Sequence, residues 1–507
     1  MMVNWNRISI LLGLLWFGSL IQASSVLTES IDDSVSWKNA HYSRTIDLSK
    51  SYVKELDIID IVNTGDKPQD EYYFIVNDGF DSIPQLSLIS FAIFNSITPT
   101  EVLHDEIIPH KLFKVKFPTP IAPNSNVELK ITYVYTNVLE PLPAKIGMEQ
   151  VQTLLYRGNK FPYSAYASDD YSLIFSGIAK GQEMELLVEN IDELNITPDL
   201  PELKPEVEGK TLKYGPLFDE ISPLTLSPMG LLYEHNRPLT FVHNLNRSIW
   251  IPASDVDQLS IEEYYELTNN GAQLNTGFSR VDWLKGRFQG TRNHFALSHL
   301  EIPTSYSKFA NYYFSDLVGV ISTHQFIKDY LILQPRFPIF GEWKYNFTLG
   351  WNENLGEFLH QVNQVEDEYI LKVPILNAIR DVTYNNTYLN IYLPENSQFI
   401  NVSSPIDIKS ITVNNELSYL DVAKGHTKVT LHFQDLFDDA SRLNVLIKFK
   451  YTKLDYISKI AKISGFVFIA LISYYGLSLI DLSITDKKKR STPPASAQSS
   501  APSSASS

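Results

Sequence analysis

VELKITYVY, residues 127–135, sets Val127, Leu129, Ile131, Tyr133 and Tyr135 at every second position, with Glu128, Lys130 and Thr132 between them. Successive side chains of a strand point to opposite faces, so this is a strand buried on one side. LNVLIKFKY, residues 443–451, repeats the pattern through Leu443, Val445, Ile447, Phe449 and Tyr451, and Val429, Leu431 and Phe433 give a third case. Phe, Tyr and Trp make up 12% of the chain, a bias that suits pleated surfaces.

Two longer stretches echo one another. Arg44–Gly65 reads RTIDLSKSYVKELDIIDIVNTG and Arg247–Gly271 reads RSIWIPASDVDQLSIEEYYELTNNG. Each opens on Arg, a hydroxyl residue and Ile, alternates, and closes on an Asn-containing turn with Gly, as a hairpin would. With a three-residue gap they align, which points to two related halves. Asn195–Pro205 is rich in Pro and acid and reads as a loop. A boundary near Tyr233–Pro238 gives domains over residues 26–235 and 236–455.

Two uncharged segments frame these halves. ISILLGLLWFGSLI, residues 8–21, follows Arg7 and precedes Ala23, Ser24 and Ser25. A basic start, a short apolar core and small residues at the end describe a secretory signal peptide over residues 1–25. ISGFVFIALISYYGLSLI, residues 463–480, lies between Lys462 and Asp481. As a helix it covers ~27 Å, enough to cross an endoplasmic-reticulum bilayer. Lys487–Arg490 lie just beyond it, and positive charge stays cytosolic, so the C-terminus is inside and the large N-terminal portion luminal. The expected fold is therefore mainly β: two β-sandwich-like luminal domains plus one C-terminal transmembrane helix. The tail, residues 481–507, is rich in Ser, Ala and Pro and is expected to be mostly disordered. Gly465, Ser473 and Gly476 fall near one face of the span, where small residues let a neighbouring helix approach.

There is no cysteine, which removes disulfides, thiolate metal sites and cysteine nucleophiles. The formal net charge is −16; the tail carries +2 and the leader +1, leaving −19 on the part between. A surface that acidic does not suit nucleic acid. Zinc-helix, phosphate-loop and nucleophile-elbow patterns are absent from the sequence. His294 and His299 are five apart, off register for one helix face, and read as polar loop residues. Asp169-Asp170 reads as a turn. The aromatic runs 161–166 and 311–314 read as core and cross-strand packing, with a peptide-binding face as the alternative. No catalytic residue, metal ligand or cofactor is assigned. Five Asn-X-Ser/Thr sequons, at Asn195, Asn246, Asn346, Asn385 and Asn401, all lie in the luminal portion and are candidate N-glycosylation sites on exposed asparagines.

Several stretches together carry a family resemblance. PRFPIFGEWK (335–344), YFSDLVGVISTH (313–324), GFSRVDW (277–283), YVYTNVLEPLPAK (133–145) and LSITD (482–486) occur here in the order in which ribophorin I proteins carry similar stretches. The chain resembles the ribophorin I family, subunit 1 of the oligosaccharyltransferase complex, in its fungal type with a short cytosolic tail. The resemblance implies a non-catalytic subunit of the endoplasmic-reticulum membrane complex. That complex transfers a preassembled oligosaccharide from dolichyl diphosphate to Asn in Asn-X-Ser/Thr of nascent polypeptides. Implied partners are the catalytic transferase subunit, small membrane subunits, the lipid bilayer and, weakly, the nascent chain. The expected roles are scaffolding and acceptor-chain guidance. A single-pass adhesion or receptor-like ectodomain glycoprotein is the alternative.

Overall fold

The computed structural model describes residues 36–480 apart from 77–84, 94–95, 99, 104–111, 185, 187–196, 199, 253–256, 290–294, 305–308, 363–366, 418–420 and 422–423. The signal-peptide and tail assignments, Asn195 and His294 lie outside the described residues. The chain divides into one compact unit ending at Thr452 and a second beginning at Lys453.

The first unit is built on two eight-stranded sheets. One runs, in spatial order, Pro205–Glu208, Thr211–Leu217, Tyr171–Ser176, Trp37–Asp47, Val53–Asn63, Asn126–Tyr135, Leu86–Ile93, Ser96–Ile97. The other runs Ser410–Glu416, His426–Phe437, Val382–Glu395, Thr240–Trp250, Gln258–Asn269, Lys344–Asn354, Ala310–Asp316, Gly319–Val320. The order of connection is the same in both. Each sheet has one parallel pair at the same place, Trp37–Asp47 with Tyr171–Ser176 and Thr240–Trp250 with Val382–Glu395. Each also has a register shift at the equivalent point of its first hairpin, between Asn39 and His41 and between Val242 and Asn244. A three-stranded and a four-stranded sheet accompany each large one, again with matching order. The first half is thus a repeat of the second in its eight-, four- and three-stranded sheets.

One apolar core runs from Trp37 to Leu239 and a second from Val242 to Phe449. The alternating residues Val127, Leu129, Ile131, Tyr133 and Tyr135 all lie in the first, and Val429, Leu431, Phe433, Val445, Ile447 and Phe449 in the second. Leu443 and Tyr451 only pack against its edge. The strand Val53–Asn63 departs from simple alternation. Its buried face carries Glu55 and Asp57, while Leu56 and Ile58 are half-exposed.

The reason is a buried polar network. Arg44 on the neighbouring strand is fully buried, bonds Glu55 through Nε, and donates from Nη1 to the Asn159 carbonyl at 2.5 Å. Tyr42 and Tyr133 donate their hydroxyls to Asp57 Oδ2 at 2.8 and 3.3 Å. Burial first, and then the Glu55 charge, hold the Asp57 carboxyl above its ordinary range. In the second half Arg247 bonds Glu263, which also accepts from Tyr265 (2.6 Å) and Asn377 (3.1 Å). The sequence repeat had aligned Arg44 with Arg247, and the two arginines occupy equivalent places.

Asn63 and Asn269 close the equivalent strands the same way. Each is buried, accepts from the glycine two residues on, and donates to two carbonyls. The turns at Gly65 and Gly271 do not form hairpins, however. The chain leaves the sheet there: the next strand after the first, Gln69–Ile75, pairs in a different sheet.

The halves dock through Asp438. It accepts from Tyr52 Oη (2.6 Å), Lys50 Nζ (3.0 Å) and the Asp381 amide (2.9 Å), while Asp381 accepts from the Ser51 amide (2.7 Å). Tyr52 also packs on Phe437, ring centroids 5.1 Å apart.

In the second unit one helix, Lys453–Leu479, carries the apolar stretch up to its last residue but one and begins ten residues before it. The charged residues Lys453, Asp455, Lys459 and Lys462 carry it out of the apolar run. Hydropathy marks only the part of a helix that crosses, whereas backbone hydrogen bonding continues into any good helix former.

Arg44→Met strips a buried carboxylate of its countercharge and should destabilise the protein by ~3–5 kcal/mol in thermal or denaturant unfolding. Arg247→Met should do the same. Asp57→Asn keeps both tyrosine hydrogen bonds and should be tolerated. Because the folded carboxyl titrates above its unfolded value, the charged form costs stability as pH rises between the two. The Asn variant should therefore lose less stability than the parent over that window.

Candidate functional site

The two halves match strand for strand, so the segments that differ between them stand out. Between Asn63 and Gln69 the first half has a short turn; between Asn269 and Leu300 the second has a long connection carrying the helix Arg280–Gln289. Loops placed on a rigid scaffold are where binding residues concentrate. A second asymmetric segment, Lys145–Ile146 in the first half, pairs in parallel with Gln273–Leu274 of that connection.

The segments converge on an aromatic cluster. Phe340 is fully buried, with the rings of Phe278, Trp283, Phe295 and Trp343 at 5.5–5.7 Å between centroids. Ile146 from the first half and Ala272 join the same small core. Gln152, fully buried, ties this region to the link between the halves. Its Nε2 donates to the carbonyls of His235 and Arg237, and its Oε1 accepts from the Ala272 amide at 2.7 Å. Burial, and then Arg237, lower the His235 pKa to about 4, so it is neutral near pH 7. Gly341 follows Phe340 because a Cβ there would sit 2.2 Å from the Gly271 carbonyl oxygen and 2.3 Å from that of Ala272.

On the solvent side this core floors a groove of about 720 Å³. Phe278, Trp283, Leu284, Phe337 and Pro338 give it apolar lining, and Arg336, His299, Gln325 and Gln334 give it polar lining. Arg336 fixes the rim. Its Nε bonds Asp316 Oδ2 at 2.8 Å, and its Nη2 bonds the carbonyls of Gly319 (3.1 Å) and Val320 (3.0 Å). Burial works to raise the Asp316 pKa, but the Arg336 bond and the amides of Val318 and Gly319 hold it below the usual carboxylate value. GFSRVDW, PRFPIFGEWK, YFSDLVGVISTH and the end of YVYTNVLEPLPAK thus meet in one place. The groove offers ring faces, amides and one cation, Arg280, without a partner among the described residues, a set suited to holding polypeptide.

The candidate residues read from sequence fall elsewhere. Asn246 is exposed mid-strand on the outer face of the second large sheet, and Asn401 is exposed on the edge strand Gln398–Ser403. Asn346 is half-exposed and donates to Tyr264 Oη at 3.1 Å. Asn385 is half-buried, and Thr387 of its sequon is fully buried. The expectation of exposed asparagines is therefore met only in part at Asn346 and Asn385, whose side chains are half-covered by their neighbours. Gly465, Ser473 and Gly476 lie on the helix Lys453–Leu479. His299 is held by Ser298 and Glu301, Asp169 by Lys38 and Asp170 by His41. Among the described residues no three His, Asp or Glu side chains gather as a metal site would require. Sequence reading missed the groove because its helix turns its apolar residues outward; the aromatic density of GFSRVDW and PRFPIFGEWK was the available signal.

Phe340→Ala should cost ~3–5 kcal/mol by removing the ring that four others pack against. Gly341→Ala should release the same contact through backbone collision. Both should expose residues 275–295 to limited proteolysis while the distant Arg44 network stays protected.

A solved leukotriene A4 hydrolase from Saccharomyces cerevisiae aligns with 44% of this chain and 32% of that one, at 10% identity and a TM-score of 0.27, a likeness too low to carry an argument. Sequence relatives are closer. Dolichyl-diphosphooligosaccharide–protein glycosyltransferase subunit 1 of Caenorhabditis elegans is 24% identical over 455 residues, 89% of this chain and 73% of its own length. Subunit 1A of Arabidopsis thaliana is 27% identical over 74% of this chain and 57% of its own length. Subunit 1 of Schizosaccharomyces pombe is 25% identical over 87% of this chain and 94% of its own length. The family model described as Ribophorin I matches residues 37–478, from the first strand of the first sheet to the last turn of the apolar helix, and the chain belongs to the ribophorin I family.

Proposed function

We propose that the chain is a non-catalytic structural subunit of the endoplasmic-reticulum oligosaccharyltransferase complex. It would support transfer of a preassembled oligosaccharide from dolichyl diphosphate to Asn in Asn-X-Ser/Thr of nascent polypeptides. The observation that carries this is the family match, which runs through both β halves and into the apolar helix. The names of the relatives, subunits of a dolichyl-diphosphooligosaccharide-dependent transferase, support it. The two β domains, divided near residue 235, face the lumen, and the C-terminus is cytosolic. The helix is apolar enough to span and has none of its apolar window buried. Gly465, Ser473 and Gly476 give it a face for a neighbouring helix. Scaffolding is the primary role, with the acceptor chain held extended as a second one.

Purification of the tagged full-length chain in mild detergent, followed by mass spectrometry, should recover the catalytic transferase subunit; its absence would overturn the reading. Asn246→Gln and Asn401→Gln should each remove one glycan, and every glycan should stay sensitive to endoglycosidase H. Resistant glycans would favour a surface adhesion or receptor role. Protease added to sealed microsomes should spare the large N-terminal portion.

A further inference from the structure

Beside the groove, large apolar side chains stand in solvent on two supports. The helix Arg280–Gln289 turns Trp283 inward and leaves Val281, Leu284 and Phe288 61%, 41% and 87% exposed. Spaced three and four apart, they form one stripe along the helix. The hairpin joining Ala310–Asp316 to Gly319–Val320 carries Leu317, Val318 and Val320 at 84%, 81% and 74% exposure. Phe337, 41% exposed, links the two, since it shares the groove with Leu284 and adjoins Arg336, which grips the hairpin.

Solubility would be served by other residues at these places. Tight turns favour Gly, Asn, Asp and Ser, yet this two-residue turn is Leu317-Val318. Nor is it slack: Asp316 Oδ1 accepts from the amides of Val318 (2.9 Å) and Gly319 (3.1 Å), and Arg336 adds three bonds. A rigid display of apolar groups lowers the cost of ordering on association. Together these residues leave roughly 800 Å² in water, about one partner's share of a stable protein–protein interface.

We propose that this ridge is a permanent interface with the folded luminal surface of another subunit of the same complex. That surface would be apolar, with a carboxylate placed to meet Arg280. The area and the fixed turn favour a folded partner over an extended chain, whose sequence-tolerant binding needs adaptable contacts. The position of Val281, Leu284 and Phe288 supports it too, because the helix that carries them lies on the connection by which the second half departs from the first. The inference rests on the complex-subunit reading and names the surface through which it acts.

The test uses the full-length chain in cells. A photoreactive amino acid at position 318 should give one adduct of fixed mass, unchanged by puromycin, containing a second subunit. In detergent purification, Leu317→Asp with Val318→Asp, or Phe288→Asp, should lower recovery of that subunit by about tenfold or more. Glycan number and protease resistance should stay those of the parent. Val207→Asp, at a position 74% exposed in the first half, should leave recovery unchanged. A heterogeneous, puromycin-sensitive adduct would mean that nascent chain occupies the ridge, and a lipid adduct would mean that membrane does; either overturns the proposal. Parent-level recovery from both ridge variants overturns it as well, while leaving the complex-subunit reading intact. If the parent chain itself recovers no transferase subunit, that broader reading fails first.

Discussion

Each large sheet depends on an arginine of its first strand meeting a carboxylate of its second inside an apolar core. Arg44 with Glu55, and Arg247 with Glu263, are removed from water on both sides of the pair. Such a pair adds little net stability over well-packed apolar residues, but a misregistered strand would leave one charge buried alone. It therefore acts on register. Shifting either second strand by one residue would turn its carboxylate outward and abandon the arginine. In a chain with no cysteine, this network and the apolar cores do the fixing that disulfides give many other proteins.

The duplicated architecture locates function by difference. Strand order, the parallel pair, the register shift and the Asn–Gly strand ends recur in both halves. What does not recur is the connection through Arg280–Gln289 and the short segment at Lys145–Ile146 that pairs beneath it. These two build the aromatic core around Phe340, hold the halves together and shape the groove. A scaffold made of two copies of one unit has thus been specialised at one place.

Much of this was written plainly in the residues. VELKITYVY and LNVLIKFKY show their buried faces by alternation, and the Arg44 and Arg247 stretches show the repeat. Other features could not be read that way. In Val53–Asn63, hydropathy points Leu56 and Ile58 inward, yet Glu55 and Asp57 take the core because Arg44, Tyr42 and Tyr133 wait there. Those partners lie up to 76 residues away in the chain, so no local pattern reveals them. The helix Arg280–Gln289 is hidden for the opposite reason: its apolar stripe faces away from its own domain. Beyond the first two strands the repeat keeps its topology but not its sequence, since many apolar residues fill one pleated position equally well.

The parallel pairing of Trp37–Asp47 with Tyr171–Ser176 has a consequence for biogenesis. At 5–20 residues per second the ribosome needs roughly 6–25 s to deliver the later strand after the earlier one. Through that interval one side of the first strand has no neighbour, and its apolar face is not yet roofed. Maturation of each half is therefore paced by translation, and chaperones have a defined time in which to shield it. The second half, with its own parallel closure, passes through the same waiting period in turn.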